Sequence, residues 1–211
     1  MELLASLEPP LARAAGTAWR TRTADAAERV VLLVALAFCL AANLASHRLI
    51  NLASVTNDVL VVAFVLIRRP AARVSERPLD WAIAFGASLG VLLMRPGGTP
   101  LIGAAPALAL AAPGWLIALS AKLCLNRSFG IVAADRGVKA GGAYALVRHP
   151  MYLGYFLNHT AYLLLNATAA NLAVWLAVCG CQWGRILREE ELLGHDPAYR
   201  AYRAKVRFRL L

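Results

Sequence analysis

Gly142-Ala143-Tyr144-Ala145-Leu146-Val147-Arg148-His149-Pro150-Met151-Tyr152-Leu153-Gly154 sets a cationic, aromatic, glycine-bearing loop directly against a new apolar helix. Pro150 suits the first turn of that helix, where its missing N–H leaves no bond unmade. Downstream, Arg185-Ile-Leu-Arg-Glu-Glu-Glu191 stacks opposite charges just past the last apolar segment. Two charged clusters bracketing an apolar hairpin are costly to keep unless they bind something. The pattern points to a charged cofactor beside a lipid-like substrate.

The composition places this pair of clusters at a membrane. The 211 residues are 60% hydrophobic and only 16% charged, whereas soluble domains carry about a quarter charged residues. A net charge of +10 would suit nucleic acid in a soluble protein. Here the cations sit between apolar runs, so anionic lipid headgroups are the expected partner and nucleic acid is not. Cys39, Cys124, Cys179 and Cys181 all lie in or beside apolar runs and form no Cys-x-x-Cys pair. They read as small buried hydrophobes, and no metal site is expected. The N-terminus lacks the basic-then-apolar order of a secretory signal peptide, so none is expected.

Outward from the central stretch, the chain reads as an all-α protein of five to six membrane passes. Residues 1–28 are mixed and read as a solvated arm, with an interfacial helix as the alternative. Apolar runs follow at about 29–45, 52–67, 81–94, 102–125, 151–165 and 172–184. The second is short for a bilayer core, which wants about 20 residues. Pro106 and Pro113 predict a kink in the fourth, or a start after Pro113. The polar, uncharged 166–171 predicts a tight helical hairpin between the last two. Of the 22 Lys and Arg, all but Arg48 and Arg95 fall in the arm, the alternate loops and the tail. That asymmetry places both termini in the cytoplasm. The natural division is at residue 125/126, with N-terminal membrane helices before it and a compact functional region after it.

Within that second region the candidates for chemistry are Tyr144, Arg148, His149, Tyr152, Arg185 and Glu189. Arg185 and Glu189 are four apart and share a helix face. Glu190, about 100° further round an ideal helix, is expected to meet a different partner. Tyr199 and Tyr202 are spaced to share one face of an amphipathic tail helix near an interface.

Taken together, Gly-x-Tyr-x-x-x-Arg-His-Pro-x-Tyr-x-Gly at 142–154, Arg-Ile-x-x-Glu-Glu at 185–190 and the Tyr199/Tyr202 tail resemble the isoprenylcysteine carboxyl methyltransferase family of integral-membrane enzymes. The resemblance covers about residues 126–209; Ala143 stands where that family usually has proline, and Arg136 where it sometimes has histidine. It implies a polytopic helical membrane protein with a cytoplasmic pocket for S-adenosylmethionine in its C-terminal half. Tyr144, His149, Pro150, Met151, Tyr152 and Glu189 would then line the cofactor pocket. Arg136, Gly137, Val138 and Lys139 would add backbone contacts, and Arg185 would face the acceptor. Gly141-Gly142 is not the dinucleotide-binding Gly-x-Gly-x-x-Gly, so a soluble Rossmann methyltransferase is not expected.

The residue types suit that chemistry. A glutamate and aromatic faces match a sulfonium and an ammonium, and loop N–H groups match a carboxylate. A carboxylate acceptor needs no base, only positioning by a forked guanidinium. An amine acceptor needs a proton removed, for which His149 is the candidate. Asn158 and His159, inside the fifth apolar run, either line a substrate route or bond to a neighbouring helix. The alternatives are a phospholipid amine methyltransferase, an NADPH-dependent sterol-type reductase and a non-catalytic lipid-binding scaffold. A prenyl or acyl chain entering sideways between helices accounts for the membrane location, and the oligomeric state is not set by these residues.

Overall fold

The computed structural model describes residues 22–37, 41, 52–69, 71, 73–75 and 77–210. The protein is mostly helical, as the apolar runs predict. Helix α1 covers residues 22–37 and α2 covers Leu52–Ile67. Helix α3 is Pro78–Leu89, tightened by a 3₁₀ turn at Gly90–Leu93. Helix α4 is Ala104–Leu125, α5 Pro150–Leu165, α6 Ala169–Leu193 and α7 Pro197–Lys205. Two-residue strands β1 (Arg73–Val74) and β2 (Ala134–Asp135) pair antiparallel, Arg73 opposite Asp135. Residues 1–21, and with them most of the arm expected over 1–28, lie outside the described residues, as does most of the stretch between α1 and α2.

Among the described residues, one helix is long and apolar enough to cross a membrane. It is α4 with the 3₁₀ turn that follows, Ala104–Ser128, of 25 residues and mean hydropathy 1.7. The start after Pro113 that the sequence allowed does not occur: Pro106 lies near the N-terminus of α4 and Pro113 within a helix that runs from Ala104 to Leu125. A proline costs one interior bond, and the apolar length on either side holds the helix together. Helix α5 starts at Pro150, with His149 at φ −129° and ψ 57° as its N-cap. Thr168 caps α6 by accepting from the Asn171 N–H, so the chain turns sharply between the two helices.

The packing falls into two helix pairs, α4 with α5 and α3 with α6. The first is a seam of small residues. Ala107, Gly114, Ala118 and Ala121 are the buried apolar face of α4, and Gly114 and Ala118 of that face meet Gly154 on α5. A Cβ on Gly154 would lie 2.7 Å from the Ala118 nitrogen and also press on the Gly114 carbonyl. Small residues let backbones approach and make dispersion contacts that need no water to drive them. Gly154→Val is therefore expected to part α4 from α5 and cost about 1–3 kcal/mol or more. Thermal unfolding in detergent checks this, and an unchanged midpoint would show the seam to be slack.

At the far end of the hairpin, buried Asn171 donates to the Arg95 and Asn166 carbonyls and accepts from the Arg95 N–H. This ties the turn at Gly97-Gly98, both with positive φ, to the α5–α6 connection. At the opposite end gather the loop 126–149, the charged end of α6 and α7. The site lies there.

The arm expected to reach residue 28 ends earlier, because 22–28 are helical and two of their acids are buried. Asp25 and Glu28 meet Arg68 and Arg136, with Arg136 Nη2 2.6 Å from Asp25 Oδ1 and Arg68 Nη1 3.3 Å from Glu28 Oε2. Glu28 also accepts from the N–H groups of Ile131 and Val132 at 2.6 and 3.1 Å. The division at residue 125/126 is thus crossed by a buried four-charge knot. Such a knot is held by mutual pairing, since each charge alone would be costly in the interior.

Candidate functional site

The loop that follows α4 is shaped by β2, by Gly137 at φ +88° and by Gly142 at φ +61°. Both glycines take a conformation that side-chain-bearing residues rarely adopt. The loop then makes a 3₁₀ turn at Gly142–Ala145 and enters α5. The C-terminal tail crosses it: the N–H groups of Arg148 and His149 donate to the carbonyls of Phe208 and Arg209, each at 2.9 Å. Loop, tail and the end of α6 enclose one hollow.

Arg136, Gly137, Val138, Lys139, Tyr144, His149, Met151, Tyr152 and Glu189 all line this hollow. Pro150 is fully buried beneath it rather than on its wall. Arg185 faces a different cavity, on the other side of Met151 and Tyr152. Its guanidinium stacks 4.9 Å from the centre of the Tyr152 ring, and Nη1 donates to Ser88 Oγ at 3.3 Å. Met151 lines both spaces. The second cavity is otherwise walled mainly by apolar side chains of α1, α2, α3 and the loop at Phe129 and Ile131, with Ser88 from α3, Tyr155 and His159 from α5 and Gln182 from α6.

The two acids at the end of α6 divide the labour differently from the sequence expectation. Glu190 does share a partner with Glu189, namely His149. The His149 Nε2 edge lies 3.1 Å from Glu190 Oε1, and its Nδ1 edge 3.8 Å from Glu189 Oε2. The helix does turn the two carboxylates apart, but an imidazole presents nitrogens on two edges, so one ring bridges both. Glu190 is buried and also pairs with Arg148 at 3.3 Å and Arg209 at 3.0 Å. Glu189 is the more open of the two. It accepts from the Tyr152 hydroxyl and stands 3.8 Å from Arg185 Nη2.

These surroundings set the titration of Glu190, which lies past the apolar part of α6. Burial alone would raise its carboxyl; bonds from His149 and Arg209, with the charges of His149 and Arg148, outweigh burial and hold it at about 2. A carboxyl depressed in the folded state stabilises fully above its ordinary value and loses that contribution as pH falls toward 2. Stability is therefore expected to decline between about pH 5 and 2, and Glu190→Gln is expected to flatten that part of the profile. Melting temperature against pH for both proteins checks it; parallel profiles would show that Glu190 is not the group responsible.

Other residues of the hollow were given no role in it by the sequence. Tyr199 and Tyr202 are buried against it, with ring centres 5.9 Å apart. Tyr202 donates to the Tyr144 carbonyl at 2.8 Å, and burial pushes its hydroxyl up to about 12. Burial, and next the Glu189 charge, push the Tyr144 hydroxyl well above its ordinary value. Both tyrosines therefore stay neutral. The Tyr199 hydroxyl is buried and has no partner among the described residues. The signals that could have placed them here were the i, i+3 spacing of Tyr199 and Tyr202 and their share in the family resemblance. The Arg136 side chain is occupied by Asp25 and Glu28, so it buttresses the wall from behind. Compared with protein-family models and with curated proteins, the chain matches none.

Proposed function

We propose that this chain is a multi-pass integral-membrane methyltransferase that takes its methyl group from S-adenosylmethionine and places it on the carboxylate of an isoprenylcysteine-like or other lipophilic acceptor. The observation that carries the reading is the adjacency of two unlike spaces. A hollow with a carboxylate and tyrosine faces abuts an apolar cavity, and a buried arginine stands at their shared wall.

The hollow's donor set fits the cofactor. Glu189 and the faces of Tyr144 and Tyr152 suit its cationic groups. The unpartnered Tyr199 hydroxyl offers a further bond, and the backbone around Gly137, with nothing within 4 Å of the place a Cβ would take, leaves an open approach. S-adenosylmethionine bound there supplies an electrophilic methyl group. The chain's own work is to hold the acceptor and exclude water. Arg185 would grip the acceptor carboxylate with its fork, while Tyr152 keeps that guanidinium flat. His149 is held by Glu190, and the Tyr152 hydroxyl holds Glu189 against the hollow.

The membrane placement rests on α4 and on the charge asymmetry of the loops. The hollow then lies on the cytoplasmic side, with both termini, and the acceptor's tail enters from lipid.

Membranes containing the protein, incubated with methyl-labelled cofactor, are expected to yield a labelled lipophilic ester whose label is released by base. A base-stable product would point to an amine acceptor instead. Binding of NADPH in place of S-adenosylhomocysteine by the purified protein would favour a reductase. Binding of neither would leave a lipid-binding scaffold.

A further inference from the structure

The cavity that Arg185 faces measures about 240 Å³. Its apolar walls suit a hydrocarbon chain, but beyond Arg185 and its partner Ser88 two more polar side chains, His159 and Gln182, interrupt them. His159 lines the cavity from α5, its ring stacked on that of Tyr155 with 6.1 Å between centres and 9° between planes. Stacking satisfies the faces of an imidazole but not its nitrogens, which point out along the ring plane. Among the described residues neither nitrogen of His159 has a hydrogen-bond partner. Gln182, one turn from Arg185 on α6, is held only by a long 3.4 Å bond from its amide to the Ala87 carbonyl. Its own carbonyl oxygen has no donor.

These groups lie at different depths. Helix α5 rises about 1.5 Å per residue, so His159 sits about 10 Å along the axis from Tyr152, on which Arg185 stacks. By the same measure Gln182 lies about 4.5 Å below Arg185. Unmade hydrogen bonds in an apolar space are costly, and an occupant that supplies the partners relieves the cost.

We propose that the acceptor is an oxygenated lipid acid, with its carboxylate at Arg185 and a hydroxyl or carbonyl partway along its chain bonded to His159. A neutral imidazole offers one donor and one acceptor, so either oxygen function is recognised. A plain hydrocarbon tail leaves His159 and Gln182 unpartnered. His159 is then a specificity-determining residue, remote from the methyl-transfer step. The inference rests on reading this cavity as the acceptor site.

The test uses the full-length protein in lipid nanodiscs, a saturated long-chain fatty acid, and its analogues carrying one hydroxyl at successive mid-chain positions. Equilibrium binding of each acid is measured alongside methyl transfer. One mid-chain position is expected to bind better than the parent acid by about tenfold or more. His159→Leu is expected to bring that ratio near one, and His159→Gln, which keeps a donor and an acceptor, to retain much of it. Equal binding of all the acids overturns the proposal, as does a hydroxyl preference that survives His159→Leu. Because binding is read separately, position-selective binding without any methyl transfer would retire the methyltransferase reading and leave the His159 assignment standing.

Discussion

Glu189→Gln is expected to weaken S-adenosylhomocysteine binding by about 30-fold or more. The substitution keeps the size of the side chain and its bond from the Tyr152 hydroxyl. It removes the one carboxylate that opens into the hollow, since Glu190 is spent on His149, Arg148 and Arg209. Removing one member of a buried, hydrogen-bonded charge pair costs about 2–5 kcal/mol, which converts to that loss of affinity or more. The contrast with Glu190→Gln is the sharper part of the expectation. That variant should lower stability and its dependence on pH, because Glu190 knots the loop, α6 and the tail together. Isothermal titration of both variants separates the roles. Equal loss of binding in the two at matched stability would mean that no single acid reads the ligand.

Arg185→Ala is expected to remove methyl transfer, by about 100-fold or more in kcat/KM, while leaving S-adenosylhomocysteine binding near that of the parent. The guanidinium stacks on Tyr152 from the side away from the hollow and reaches Ser88, a wall of the neighbouring region of α3. Its nearest approach to Glu189 is 3.8 Å, too long for a strong bond, and it meets the cofactor wall only through the face of Tyr152, whose bond to Glu189 remains. Arg185→Lys should fall between the two, because an ammonium keeps the charge and loses the paired N–H groups that fit a carboxylate. Full turnover by Arg185→Ala would move the acceptor site elsewhere, and loss of both binding and turnover would make Arg185 a structural prop for the hollow.

The helical character of the protein, the start of α5 at Pro150 and the shared face of Arg185 and Glu189 are properties of local sequence. They follow from apolar runs, from a ring that fixes φ and from a spacing of four on a helix, none of which needs distant partners. The gathering of residues 136–152 with Glu189 was legible only through the likeness of two motifs to a known pattern, since nothing local joins positions some forty residues apart. Tyr199 and Tyr202 illustrate the limit: their spacing announced a common face, and the tail's crossing over Arg148 and His149 decided what that face meets.

What only the tertiary structure decided is which groups pair across the chain. A burial pattern cannot reveal that Asp25 and Glu28, in a stretch that reads as a polar arm, neutralise Arg68 and Arg136; charges draw together in the interior because each alone would be stranded there. Nor can a helical wheel say that one imidazole spans Glu189 and Glu190, since that depends on where α5 begins relative to the end of α6. The second cavity is likewise a product of five helices meeting, and His159 acquires its meaning from the space it faces. Local sequence fixes the angle at which a side chain leaves its helix, and the packing of helices determines what stands opposite.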